Sequence, residues 1–246
     1  MIKQWRELIT RAGEAGSCIQ WRGGGSKAFY GQRPRGDVLD TRAHAGVVDY
    51  EPTELVITAR AGTPLKELES VLAGQRQILA FEPPHFGEAT LGGCISCGLS
   101  GPRRARAGSL RDFVLGAQLL DGTGKLLNFG GQVMKNVAGY DVSRLLAGSL
   151  GTLGIITEVS LKVLPAPECE QTRVLPLGQT DALTTMRHWA GLPLPISATA
   201  WHAGELRVRL SGAASAVTAA AGQIGGNTLA DSPARTEERR GGSGPR

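Results

Sequence analysis

Apolar residues recur at Trp5, Leu8, Ile9 and Ala12, a helical spacing that predicts an opening helix over residues 2–12, ended by Gly13 and Gly16. Cys18–Trp21 reads as a short strand, as do Val38-Leu39 and Val47–Tyr50. Leu55–Arg60 is richer in β-branched residues and gives a stronger strand signal. From Ala61 to Gly74, Leu65, Leu68 and Leu72 share one helical face. Thr63 is the expected cap, Pro64 suits the first helical position, and Gly74 closes the helix. Phe113–Leu120 and Lys125–Phe129 flank Asp121-Gly-Thr-Gly124, a hairpin signal. Asp141 is placed to cap a short helix through Leu145 and Leu146 that stops at Gly148. Ile155–Leu164 alternates, with Ile155, Val159, Leu161 and Val163 on one face and Glu158, Ser160 and Lys162 on the other. That predicts a half-buried strand, ended by Pro165 and Pro167.

A domain boundary is expected at those prolines. Beyond it the pattern changes to a strand near Arg173–Leu177, a helix near Ala182–Ala190, a hairpin over Ile196–Leu210 turning at Ala203-Gly204, and a helix near Ala213–Ala221. The order β-α-β-β-α is a ferredoxin-like unit short of its closing strand, whose open edge would invite a partner. Residues 231–246 have no apolar periodicity and read as a disordered tail, as a truncation or frameshift would leave. The expected division is therefore residues 1–167, 168–230 and 231–246, in an α+β chain.

Composition narrows the function classes. The 246 residues suffice for one large domain or two modest ones, and no apolar run approaches the length of a membrane span. The start of the chain shows no signal-peptide pattern, so a cytoplasmic location is expected. The net charge of +5 is mild. Arg103, Arg104, Arg106 and Arg111 cluster, but no aromatic residues interleave with them, which favours a solvated or cofactor-facing loop over nucleic-acid binding. Cys94 and Cys97 form a lone C-x-x-C without the further ligands zinc needs, and they read as small residues in a crowded loop. No metal site is expected.

Glycine, at 35 residues, is about twice its usual share. It concentrates in Arg22-Gly-Gly-Gly-Ser-Lys27 and in Glu88–Gly101, which holds Gly92, Gly93, Gly98 and Gly101. Glycine permits close backbone approach, and successive N–H groups form a concavity that holds anions. Two loops clasping one diphosphate are the candidate chemistry; plain turns are the alternative. No G-x-G-x-x-G follows a strand and opens a helix, and no G-K-[ST] follows Gly23–Gly25 at P-loop spacing. A nucleotide site here belongs to another architecture.

Arg22–Ser26, Pro52–Val56, Gly62–Leu65, Glu82-Pro-Pro84 with Thr90–Gly93, Gly139–Leu145 and Gly148–Glu158 occur in an order that resembles the FAD-binding domain of the vanillyl-alcohol oxidase (PCMH) type, over about residues 1–167. Gly23–Gly31, Phe81–Gly87 and Val133–Asp141 are similar to the FAD-binding subunits of bacterial glycolate oxidases. The resemblance implies a two-part FAD-binding domain followed by a partial cap. It implies that Arg22, Gly23, Gly24, Gly25 and Ser26 hold the diphosphate from one side, and Thr90, Leu91, Gly92 and Gly93, with Ser96 and Gly98, from the other. Ile155 and Ile156 would hold a ring edge by backbone contacts, and Pro83 belongs to the same cofactor-binding set.

Some relatives attach FAD through a histidine at the position of Ser26, so FAD is expected to be bound non-covalently; His85 is a rival attachment point. The resemblance further implies oxidation of glycolate to glyoxylate, with electrons passed to an iron–sulfur subunit. The expected partners are that subunit and a second flavoprotein subunit, in a complex associated with the inner face of the membrane. No catalytic base is assigned, because His188, His202 and Glu205 lack the spacing of a metal-binding cluster. The alternatives are a self-sufficient FAD-dependent D-2-hydroxy acid dehydrogenase and a flavin-free scaffold.

Overall fold

The computed structural model describes residues 1–131 and 141–229. The motif residues at 133–140 and the tail at 231–246 lie outside the described residues. Two compact units emerge, one from Met1–Gly101 and Gly108–Pro165, the other from Pro102–Ala107 and the described part of Ala166–Arg246.

The first unit opens with α1 (Ile2–Glu14), which buries Trp5 and Ile9 against Leu120 and Ile155. Strands β1 (Ile19–Arg22) and β2 (Asp37–Asp40) pair in parallel. Then come β3 (Val47–Glu51), β4 (Val56–Arg60), α2 (Leu65–Gly74), β5 (Gln77–Ile78) and α3 (Leu91–Cys97). A short helix, α4 (Arg104–Ala107), belongs to the second unit. The first unit resumes with α5 (Leu110–Phe113), β6 (Val114–Leu120), β7 (Leu126–Gly130), α6 (Val142–Leu145), β8 (Ile155–Lys162) and β9 (Leu164–Pro165). Five strands make an antiparallel sheet in the order β3-β4-β8-β6-β7.

Strand β8 sits at the centre of that sheet and departs from the half-buried expectation at Ser160. Its solvent-side candidate Ser160 is buried, and its hydroxyl lies 2.8 Å from Thr58 Oγ1 on β4. Strands β4 and β6 pair both edges of β8, and on its polar face Ser160 is buried by pairing hydroxyls while Glu158 and Lys162 stay partly exposed. Thr63 does not cap α2. Its hydroxyl donates to the Arg60 carbonyl at 2.7 Å and accepts from Gly46 N–H at 2.9 Å, tying a turn instead of the helix. The stretch read as a pure glycine loop contains α3. Thr90 caps that helix, Leu91, Cys94 and Ile95 are its buried side, and Gly98 ends it at φ 64°.

The second unit runs β10 (Cys169–Pro176), α7 (Gln179–Ala190), β11 (Ile196–His202), β12 (Glu205–Gly212), α8 (Ala214–Ile224) and β13 (Asn227–Thr228). Its sheet order is β11-β12-β10-β13, antiparallel throughout. The missing closing strand is thus corrected: β13 pairs with Arg173 and Val174 of β10, and the Arg173 guanidinium ties Gly225, Gly226 and Thr228 to it. Trp189, Leu206, Val208, Leu210, Val217 and Ile224 form the core.

Arg103 corrects the loop reading of its cluster. It is buried, bonding Glu170 Oε2 at 2.6 Å and Ser211 Oγ at 3.0 Å, and so pins the segment of α4 to β10 and β12. Arg104, Arg106 and Arg111 are exposed. Arg103→Ala is expected to lower unfolding free energy by about 2 kcal/mol, the size of a part-buried charged hydrogen bond. A urea midpoint equal to that of the wild type would refute that anchor role.

Candidate functional site

The second glycine stretch reaches the first because its neighbours have no side chains to keep them apart. A Cβ built on Gly24 would lie 1.4 Å from the Glu88 carbonyl oxygen, and one on Gly23 would lie 2.4 Å from Thr90 Oγ1. Gly92 backs onto Ala61: a Cβ built on it would lie 2.7 Å from Ala61 Cβ, and its N–H donates to the Ala61 carbonyl at 2.7 Å. Gly62 is ringed by the carbonyls of Thr41, Arg42 and His44, each within 2.7 Å of where a Cβ would stand. On the far side Trp21 Nε1 donates to the Gly151 carbonyl at 2.8 Å. Backbone packed on backbone fixes the walls.

Between those walls lies a cleft of about 820 Å³ in the first unit. Arg22, Gly23, Gly24, Gly25 and Ser26 line it, as do Thr90, Gly92, Gly93, Ser96, Ile155 and Ile156. Three other candidates stand back from it. Leu91 is fully buried beneath α3, Pro83 is buried, and Gly98 turns the chain at the end of α3 against Gly148. Residues that sequence reasoning missed also line the cleft, among them Trp21, Lys27, Tyr30, Arg33 and Leu150–Thr152. The Lys27 signal was present in the sequence, as a cation two positions after three glycines.

Which backbone donors are free separates the two loops. Leu91 N–H goes to Thr63 O, Gly92 N–H to Ala61 O, and Cys94 N–H to Thr90 O, while Gly93 N–H makes a long 3.4 Å bond to Thr90 Oγ1. The N–H groups of Gly23, Gly24, Gly25, Ser26 and Lys27 find no protein acceptor among the described residues. Gly25, at φ 66°, curls this run into a concave turn. Lys27 Nζ is likewise buried with no hydrogen-bond partner. With Arg22 and Arg33, the lining offers amide donors and cations, the groups that hold an anion such as a diphosphate.

The cysteines of α3 are packing groups. Burial pushes the Cys94 thiol up to about 12, and burial also raises Cys97, with the nearby Lys27 charge pulling the other way in both. His85 makes a 3.0 Å contact from Nε2 to Glu69 Oε2 and lies outside the cleft lining. Among the described residues no group of three His, Cys, Asp or Glu side chains is arranged to hold a metal.

The architecture is that of solved alkyldihydroxyacetonephosphate synthase, at TM-score 0.73 over 96% of this chain and 51% of that one. At 21% sequence identity this likeness shows the fold. Within this fold the first unit holds a glycine-walled cleft lined by amides and cations, an arrangement able to hold an anionic cofactor. The family model for the FAD binding domain matches residues 2–130, and the chain belongs to that family, with FAD as its cofactor. Glycolate oxidase subunit GlcE of Escherichia coli is 50% identical over 210 residues, 85% of this chain and 60% of that protein. Glycolate oxidase subunit GlcD of Bacillus subtilis is 31% identical over 71% of this chain and 38% of its own length. D-lactate dehydrogenase of Archaeoglobus fulgidus is 34% identical over 64% and 36%. The chain therefore spans less than two thirds of the length of these relatives.

Two measurements probe the site. Gly24→Ala must force the loops apart at Glu88 and is expected to lose FAD uptake and at least about 2 kcal/mol of stability. Gly13→Ala, with nothing within 4 Å of the new Cβ in α1, is expected to gain about 0.5–1 kcal/mol. If Gly24→Ala binds FAD like the wild type, the two-loop geometry is wrong. Buried and with its pKa raised, the Cys94 thiol stays protonated and shielded from solvent in the native chain. Ellman's reagent should therefore label exposed Cys18 quickly and Cys94 only on unfolding, and fast labelling of Cys94 in the native chain would contradict its buried placement.

Proposed function

We propose that this chain is the FAD-carrying subunit of a complex that oxidises glycolate, or a related short 2-hydroxy acid, to the 2-oxo acid. The observation that carries the reading is the run of unpaired N–H groups from Gly23 to Lys27 along a cationic cleft. The 50% identity with GlcE over 210 residues supports the substrate class. Gly23 to Ser26 hold the diphosphate by backbone donors with Arg22 at the start of the run, Thr90 to Gly93 form the opposite wall, and Ile155 and Ile156 line the cleft at the start of β8. When bound, FAD supplies the oxidising power by accepting hydride from the carbon that bears the hydroxyl.

Ser26 stands where some relatives carry the histidine that attaches FAD, so the cofactor is held without a covalent bond. The groups gathered at the cleft are donors and cations, suited to holding an anionic cofactor. The chain thus relays electrons within a complex whose partners are a second flavoprotein subunit and an iron–sulfur subunit. The cap, residues 168–230, contributes to those contacts rather than to chemistry.

A visible absorption spectrum tests this directly. The purified chain is expected to show flavin bands, to release the flavin into the supernatant on acid precipitation, and to keep its bands when glycolate is added anaerobically. Bleaching is expected once the partner subunits are added. Bleaching of the chain alone would establish a self-sufficient dehydrogenase instead. A chain that takes up no FAD would leave the scaffold reading.

A further inference from the structure

Lys27 is the one charged side chain among the described residues whose terminal nitrogen is buried without any hydrogen-bond partner while lining the cleft. Its relative exposure is 7%. Phe86 covers it, with the ring centroid 5.9 Å from Nζ, and Phe86 in turn meets Phe29 edge-to-face at 5.4 Å. Among the described residues no ion pair to Nζ is formed, and no hydrogen bond reaches it. A partial aromatic contact does not repay the removal of an ammonium from water. Such a group is stable only if an anion completes it.

We propose that Lys27 is a cofactor-binding residue whose ammonium pairs with an anionic oxygen of FAD, and that in the cofactor-free chain it is a source of instability. Two oxygens of FAD have this chemistry: those of the diphosphate, next to the Gly23–Ser26 amides, and the N1–C2 carbonyl locus of the flavin ring, which carries the charge of the reduced form. The inference rests on the reading that this chain carries its own FAD. It goes beyond that reading in assigning opposite effects to one side chain. Lys27 strengthens the complex with FAD and weakens the empty fold.

The test uses the full chain and Lys27→Met, which keeps length and apolar volume but removes the charge. The expected result is that apo Lys27→Met melts several degrees above apo wild type, while its Kd for FAD weakens about ten- to a hundredfold. A residue that merely packs would give no rise in apo stability, and an apo variant that fails to fold or melts lower overturns the proposal. ADP, as a competitor of FAD, then locates the oxygen. Equal weakening for ADP and FAD assigns Lys27 to the diphosphate. Unchanged ADP affinity assigns it to the ring, with a lower midpoint potential of about 30 mV per tenfold preference for the reduced form. Wild-type chain that takes up no FAD overturns the function reading and this inference together. Wild-type uptake with an unaltered variant overturns the Lys27 role alone.

Discussion

The contact of Gly24 with the Glu88 carbonyl is the constraint on which the site depends. No L-residue can stand where a Cβ would lie 1.4 Å from a carbonyl oxygen, so two loops far apart in the chain, at Gly24 and Glu88, meet only because glycine occurs here. The consequence is directional. With its inner side pressed on Glu88 and Thr90, the turn from Gly23 to Lys27 has its amides left without acceptors among the described residues. Gly62, ringed by the carbonyls of Thr41, Arg42 and His44, does the same for the start of α2 and holds Thr63 against Leu91. Backbone contact has no rotamers, so the walls of the cleft carry little side-chain entropy and little freedom to shift.

Electrostatics follow from that geometry. Free amides in a concave turn act as fixed partial positive charges, and Lys27 adds a full charge behind them. The opposite wall contributes shape more than charge, because the amides of Leu91, Gly92 and Cys94 are already spent on Thr63, Ala61 and Thr90. The two loops therefore play unequal parts, one as donor and one as support, although their glycine content is alike.

That inequality marks where the sequence stops being legible. Glycine clusters at Gly23–Gly25 and Gly92-Gly93 show where the backbone comes close, since only one residue type permits it. They do not show which amides are free, because the answer lies with Ala61 and Thr63, on a different segment. Helix α3 was readable in principle, with Thr90 as cap and Leu91, Cys94 and Ile95 at helical spacing, but two interior glycines hid it. The alternation in β8 gave the strand and the partly exposed Glu158 and Lys162, but not the burial of Ser160, whose hydroxyl partner Thr58 lies on another strand. Arg103 looked like one more surface arginine; its partner Glu170 lies 67 positions away, and no local pattern reveals such a pair.

The same arrangement opposes stability and function within one unit. Each unpaired amide and the bare ammonium of Lys27 subtract from the stability of the empty fold. The deficit must be offset where burial is complete, along Ile57, Leu161 and Val163, under α2 through Leu65, Leu68 and Leu72, and at the fully buried Phe81, 5.5 Å from the ring of Phe113. A site built from flexible side chains could relax its donors onto one another when empty, and would then have to break those bonds to bind. Glycine-walled amides cannot relax in this way, so the unit carries its instability permanently and recovers it only when the anion arrives.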